Sequence, residues 1–222
     1  MLDRTFRASG RGILYLLLGI WALIQIFPLY WMFTFSLKSN SEIFGPNPVG
    51  LPKKWLWENY VSVIENAHMG TYLMNSVIVT AVSILIVVIF GLMATYALTR
   101  MVWRGREITR SFFMLGLAIP IHAALLPVFL LLRDFKLLNT HWALILPYSA
   151  FSLSMGILIF MGFIVSIPNE LEEAACIDGC GVYGIFFRVV LPLMRPAIAV
   201  VAIFTFLQSW NELLFASTYA TD

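Results

Sequence analysis

The side chains able to do chemistry are few, and most crowd into one stretch. Four of the chain's twelve acids, Glu170, Glu172, Glu173 and Asp178, fall within nine residues. Cys176 lies among them and Cys180 just beyond, in a run that also holds Gly179, Gly181 and Gly184. Carboxylates so placed suit general acid–base work. Thiols four apart share a helical face and suit a metal or redox pair. Zinc, though, is ordinarily held by three or four protein ligands, and no histidine lies near. Two reduced thiols on a polar surface are the plain account. Elsewhere His122, just past Pro120, is the main ionisable group in an uncharged run. At that depth it is a functional candidate, against the simpler reading of a neutral imidazole bonded to a neighbouring helix. Glu212 lies roughly 27 Å along a helix from Met194, which suits an interface residue at the membrane boundary. No His-Glu-x-x-His, Gly-x-Ser-x-Gly or phosphate-cradling glycine loop occurs. No cofactor and no metal site are expected, and any ATP-driven step falls to another chain.

These groups are positioned by a hydrophobic chain. Of 222 residues 60% are hydrophobic and 12% charged, with a mean hydropathy of +0.87. Soluble domains carry about 25% charged residues, so this chain belongs in a lipid bilayer. A net charge of +2 gives no reason to expect nucleic acid as a partner.

Charge-free runs mark the spans. Residues 12–37 hold 26 uncharged residues and 111–132 hold 22. Apolar runs also cover 72–98 and 142–165, and a last run of 16 uncharged residues covers 196–211, extended forward to Val189. A spanning helix needs about 20 residues, so five helical spans are predicted. Barrel strands alternate, and these runs do not. The first span reads as a signal anchor, since its apolar core is too long for a cleaved leader and no small-x-small site follows. With the N-terminus inside, the inner segments hold Arg4, Arg7, Arg11, Arg100, Arg104, Arg106, Arg110, Arg188 and Arg195, nine in all. The outer segments hold Lys38, Lys53, Lys54, Arg133 and Lys136, which is five. The excess predicts a cytoplasmic N-terminus and puts the acidic stretch in the cytoplasm.

Between the first two spans, Gly45, Pro46, Pro48, Gly50 and Pro52 predict a loop. Trp55, Trp57 and Tyr60 then predict a segment on the membrane surface or against a partner. Spans three to five carry Pro120, Pro127, Pro147, Pro192 and Pro196. Such helices suit a bundle around a moving pathway, although proline is also simply commoner in membrane helices.

In the acidic stretch, Pro168 opens a short helix predicted from Glu170 to Asp178. Asn169 and Glu172 have capping-box spacing, the acids suit the N-terminal dipole, and Gly179 sits where a left-handed C-cap is wanted. Small Ala174 and Ala175 let a partner come close. The chain turns apolar after Gly184 and re-enters the membrane at Leu191-Pro192. By its residues alone this is either a docking helix or an ordinary capped loop.

Glu173-Ala174-Ala175, then Gly179, Val189 and Leu191-Pro192 at their spacings, resemble the EAA loop of ABC-importer permeases. Asp178-Gly179 fits its common form. Asn59-Tyr60, Asn75-Ser76, Leu137-Leu138-Asn139-Thr140, Ile167-Pro168 and Trp210-Asn211-Glu212 are similar to the carbohydrate-importer branch, of the maltose-permease second-subunit type. The resemblance covers nearly the whole chain. It implies a polytopic all-α bundle in the bacterial cytoplasmic membrane, with no catalysis of its own. A second permease subunit, an ATP-binding cassette ATPase dimer and an extracytoplasmic solute-binding protein are the implied partners. Glu173, Ala174, Ala175, Asp178, Gly179, Leu191 and Pro192 are the implied ATPase interface. Substrate residues are not implied, and His122 is a weak pathway candidate.

The expected organisation is an anchor span and external loop over 1–71 and a permease domain over 72–222. Five spans depart from the family's usual six, and Cys176 and Cys180 stand where relatives often have small or aliphatic residues. The cargo is read as a sugar. A polyol or glycerol-phosphate-type solute, a membrane-bound enzyme using His122 or the acid cluster, and a structural scaffold are the alternatives.

Overall fold

The computed structural model describes residues 2–220, with side chains from Arg11 onward. Met1, Thr221 and Asp222, and the Arg4 and Arg7 side chains counted above, lie outside the described residues. Every regular element among those described is helical, as an apolar chain without strand alternation requires. Two compact units divide at Gly70/Thr71.

The first unit begins with α1 (Leu2–Ser36), whose apolar part is exposed from Arg11 to Phe33 save at half-buried Ala22. Its apolar side chains therefore require lipid or a partner. The following segment is well tied although it contains little helix, α2 (Asn40–Ile43) and α3 (Glu58–Asn66). The Lys38 ammonium donates to the carbonyls of Asn47 and Pro48, and the Trp31 indole to Pro48. Asn59 donates to the carbonyls of Ser36 and Lys38. Phe33, Trp55, Trp57 and Tyr60 then form a continuous aromatic cluster, with the Trp55 and Trp57 rings stacked.

The second unit is a bundle. Its long unbroken helices are α4 (Met69–Thr99) and α7 (Trp142–Ile164), both apolar enough to span. The other two predicted spans are bent. Residues 111–132 were expected as one helix. Instead α5 (Arg106–Leu115) and a 3-10 turn lead to a break. A second 3-10 turn and α6 (Leu125–Asp134) follow at 96°. The cause is Pro120, which biases the preceding residue away from helix. Ile119 and Pro120 both have extended ψ, 115° and 121°. The last span also bends, by 71°, between Val182–Leu193 and α11 (Arg195–Asn211). Before this bend come α9 (Val182–Ile185), a π-helical turn (Phe186–Val190) and α10 (Leu191–Leu193). Pro196 has no N–H for the Pro192 carbonyl, and its ring crowds that group, so the helix restarts. A final α12 (Leu214–Tyr219) closes the described chain. Among the described residues, three helices are thus long and apolar enough to span, or up to five spans when each bent pair counts as one.

The core sits where α4, α7 and α11 meet. Val87, Phe160, Ile164, Val190, Met194, Ala197 and Val201 are buried together. Gly156 permits this approach: a Cβ there would lie 3.0 Å from Val87 Cγ1 and 3.4 Å from Val201 Cγ1. In membranes such small residues let helices come close.

Candidate functional site

The acidic stretch folds as α8 (Asn169–Ile177), one residue earlier than expected, with Pro168 at the N-cap. The predicted capping box does not form, because Asn169 and Glu172 have a stronger donor. The Arg100 guanidinium, one residue past α4, takes both. Its Nε lies 2.8 Å from Glu172 Oε1, and its Nη1 donates to Asn169 Oδ1. Its Nη2 donates to the carbonyls of Ile164 and Ile167, at 3.1 and 2.6 Å. The Tyr96 hydroxyl adds a bond to Glu172 Oε2 at 3.3 Å. Thus the bare carbonyl end of α7 and the first turn of α8 share one cation, which suits the C-terminal dipole of α7, while the Glu172 carboxylate suits the N-terminal dipole of α8.

The other end of α8 closes as predicted. Gly179 is left-handed, with φ +84°. Its N–H bonds the Cys176 carbonyl, and the Cys180 N–H bonds that of Ala175, at 3.0 and 2.9 Å. That pair of bonds is the Schellman closure. With its ends fixed, α8 turns Glu173, Ala174 and Asp178 outward, and Gly179 is exposed as well. Ala175 faces the bundle and packs on the core with Cys180 and Leu191. Leu191 and Pro192 are half-buried in α10. Two small alanines had suggested one open surface; Ala174 supplies it, while Ala175 lets α8 seat on the core. Cys176 is exposed and Cys180 half-buried, and neither is in a disulfide.

Away from α8, hydroxyls line the bundle interior. Thr80 and Ser83 of α4, Ser149 and Ser152 of α7, and Thr205 and Ser209 of α11 are all buried. Ser152 donates to Gln208 at 3.1 Å, whereas the hydroxyls of Ser83, Ser149 and Ser209 find no partner among the described residues. Two open cavities flank this seam. One, of about 540 Å³, touches Phe151, Ser152, Met155, Thr205 and Gln208. The other, of about 530 Å³, is more polar and touches Tyr72, Asn75, His141, Tyr148, Ser209 and Glu212. There His141 Nε2 lies 3.1 Å from Asn75 Oδ1. Glu212 accepts from the Tyr148 hydroxyl at 2.8 Å and from the N–H groups of Phe215 and Ala216, so it caps α12. His122, the weak pathway candidate, sits exposed in the break of the third span and lines neither cavity.

Residues 87–222 match the family model described as the binding-protein-dependent transport system inner membrane component. The chain belongs to this family. Curated relatives agree along nearly its whole length. The diacetylchitobiose uptake system permease protein NgcG of Streptomyces coelicolor is 40% identical over 220 residues, 99% of this chain and 71% of the relative. The probable ABC transporter permease protein YurM of Bacillus subtilis is 35% identical over 213 residues, 96% of this chain and 70% of the relative. A second Streptomyces coelicolor protein, the diacetylchitobiose uptake system permease protein DasC, is 36% identical over 188 residues, 85% of this chain and 68% of the relative. This permease is therefore a helical, multi-pass membrane protein of binding-protein-dependent transport, as the spacing around Glu173 and Gly179 suggested.

The permease's sequence marks the exposed face of α8 but leaves its anchor unmarked. Arg100 reads as one more inside-facing arginine, and Tyr96 as one more apolar span residue. The hydroxyl seam did have a signal, the helical spacing of Ser149 with Ser152 and of Thr205 with Ser209.

Proposed function

We propose that this permease forms half of the pathway of an ABC importer for a sugar or oligosaccharide. A second permease subunit supplies the other half. An ATPase dimer docks on α8 from the cytoplasm, and an extracytoplasmic solute-binding protein delivers the cargo. The ATPase interface consists of Glu173, Ala174, Ala175, Asp178, Gly179, Leu191 and Pro192, with Ala175, Leu191 and Pro192 supporting the face from beneath. Residues 1–71 serve as anchor and external loop and 72–222 as the permease domain, in a bacterial cytoplasmic membrane with the N-terminus inside.

The observation that carries this reading is the state of α8. It is a short polar helix fixed at both ends, yet it leaves Glu173, Ala174 and Asp178 exposed. A helix with no partner has no need of such rigidity at its attachments. The names of the relatives support sugar as the cargo class, and the relatives named for diacetylchitobiose make that disaccharide the first to try.

The test is copurification followed by uptake. The permease, expressed with its partner subunits, is expected to bring down an ATPase. In vesicles it is expected to drive ATP-dependent uptake of labelled diacetylchitobiose or another oligosaccharide. Uptake confined to glycerol phosphate or a polyol would replace the cargo class. An active complex without any ATPase would overturn the coupling role of α8.

A further inference from the structure

We infer that Arg100 is a positioning residue that makes α8 and α4 one lever, so that motion at the ATPase interface reaches the far end of the bundle. The inference rests on the docking role of α8 proposed above and adds a path that chain connectivity does not supply. In sequence, α8 joins α7 and α9, while α4 lies some way upstream. In space, one guanidinium just past the end of α4 binds both α7 and α8.

Each nitrogen of that guanidinium has a partner: Nε is ion-paired with the Glu172 carboxylate, Nη1 donates to Asn169, and Nη2 donates to the carbonyls of Ile164 and Ile167. The two charged side chains are 17% and 13% exposed, so water competes little for them. Tyr96, one turn back on α4, holds the second oxygen of Glu172. The first turn of α8 therefore cannot tilt without drawing on the end of α4. A lysine could not reproduce this. Its ammonium is a point charge on a flexible stem, whereas the guanidinium is a rigid planar fork.

What α4 does with the motion is set by its length. It runs 31 residues, from Met69 to Thr99, or about 45 Å at about 1.5 Å per residue. One end carries Tyr96 and leads directly into Arg100. The other end supplies Tyr72, Asn75, Ser76 and Thr80 to the more polar cavity. A rigid rod fixed to α8 at one end thus forms a cavity wall at the other. A packed helix has discrete resting positions, and such elements carry coupling between distant sites.

The experiment reads that cavity wall directly and needs no knowledge of the cargo. Ser76 is exposed in the cavity, so Ser76→Cys reports its access, in a chain also carrying Cys176→Ser and Cys180→Ser. The complete transporter, with its partner subunits, is placed in vesicles. A membrane-impermeant maleimide is applied with and without trapping of the ATPase by ATP and vanadate. With Arg100 intact, trapping is expected to change the labelling rate about tenfold, a typical coupling between sites. With Arg100→Ala the ATPase should still copurify, while the change shrinks to within about twofold. Arg100→Lys should restore only part of the response, to about threefold, because its charge remains without the fork.

A full response in Arg100→Ala would overturn the lever. So would loss of the ATPase from that variant, since Arg100 would then be needed for docking itself. Should Arg100→Ala fail to accumulate in the membrane, Arg100→Lys decides, and an undiminished response there overturns the proposal. Absence of an ATPase from the unsubstituted complex would instead remove the docking of α8, and the lever with it.

Discussion

Lys38 and Glu42 show how single residues hold the loop after α1. Lys38 is 2% exposed, and its ammonium is satisfied by the carbonyls of Asn47 and Pro48 at 2.9 and 3.2 Å. Glu42 accepts the Lys53 N–H at 2.9 Å and the Asn47 amide at 2.8 Å. The Lys53 N–H, with help from Asn47 and the nearby Lys38 and Lys53 charges, holds this carboxyl below its ordinary value, against some desolvation. A carboxyl depressed in the folded state contributes stability above its unfolded pKa and loses it as pH falls through the folded one. Acidification should therefore loosen this loop, and Glu42→Gln should abolish that part of the pH dependence. The fluorescence of Trp55 and Trp57, followed on acid titration in lipid nanodiscs, measures it. Identical acid transitions in the two proteins would remove Glu42 from the account.

At the scale of elements, α8 and the two bends carry the consequences. The α8 closure depends on a left-handed residue at Gly179, where a side chain costs about 1 kcal/mol or more. The same position lies on the exposed face assigned to the ATPase. Gly179→Asp should therefore leave membrane insertion intact and abolish ligand-stimulated ATP hydrolysis by the complex. Glu173→Lys, which reverses a charge on that face, should do the same. Assays in reconstituted vesicles decide, and normal stimulation in either variant would count against the interface. The bends follow from chemistry visible in the chain, since Pro120 and Pro196 each remove a helical N–H. Proline does not announce the angle, however. The 96° and 71° turns arise from how the flanking helices pack, and Pro147 lies inside α7 without ending it.

At the scale of the whole molecule, the distribution of basic residues bears on orientation. Nine Lys and Arg in the segments on one side against five on the other are the argument, by the positive-inside rule, for the proposed cytoplasmic N-terminus and α8. This count treats each bent pair as one complete crossing. A pair that returned to its own side would reverse every later segment. Thiol labelling of single cysteines in intact cells is expected to find 170–185 protected and 40–65 accessible. The opposite pattern would overturn the orientation, and a split pattern would show one bent pair to be re-entrant.

Composition and patterning already require a helical membrane chain, because 60% hydrophobic residues in long charge-free runs need lipid around them. The sequence by itself also determined the family, through the spacing of Glu173, Gly179 and Leu191-Pro192, and the glycine stop of α8. Those signals lie close together in the chain: each is contained in one continuous stretch or in the composition of one run. Tertiary structure alone decided what α8 is tied to. Asn169 and Glu172 have the spacing to cap their own helix, and they turn away because a guanidinium 69 residues earlier in the chain offers a charged donor. It also decided that Ala175 faces inward while Ala174 stays exposed, and that scattered serines and threonines meet in one buried seam. Such choices depend on which surfaces the packed helices bring together.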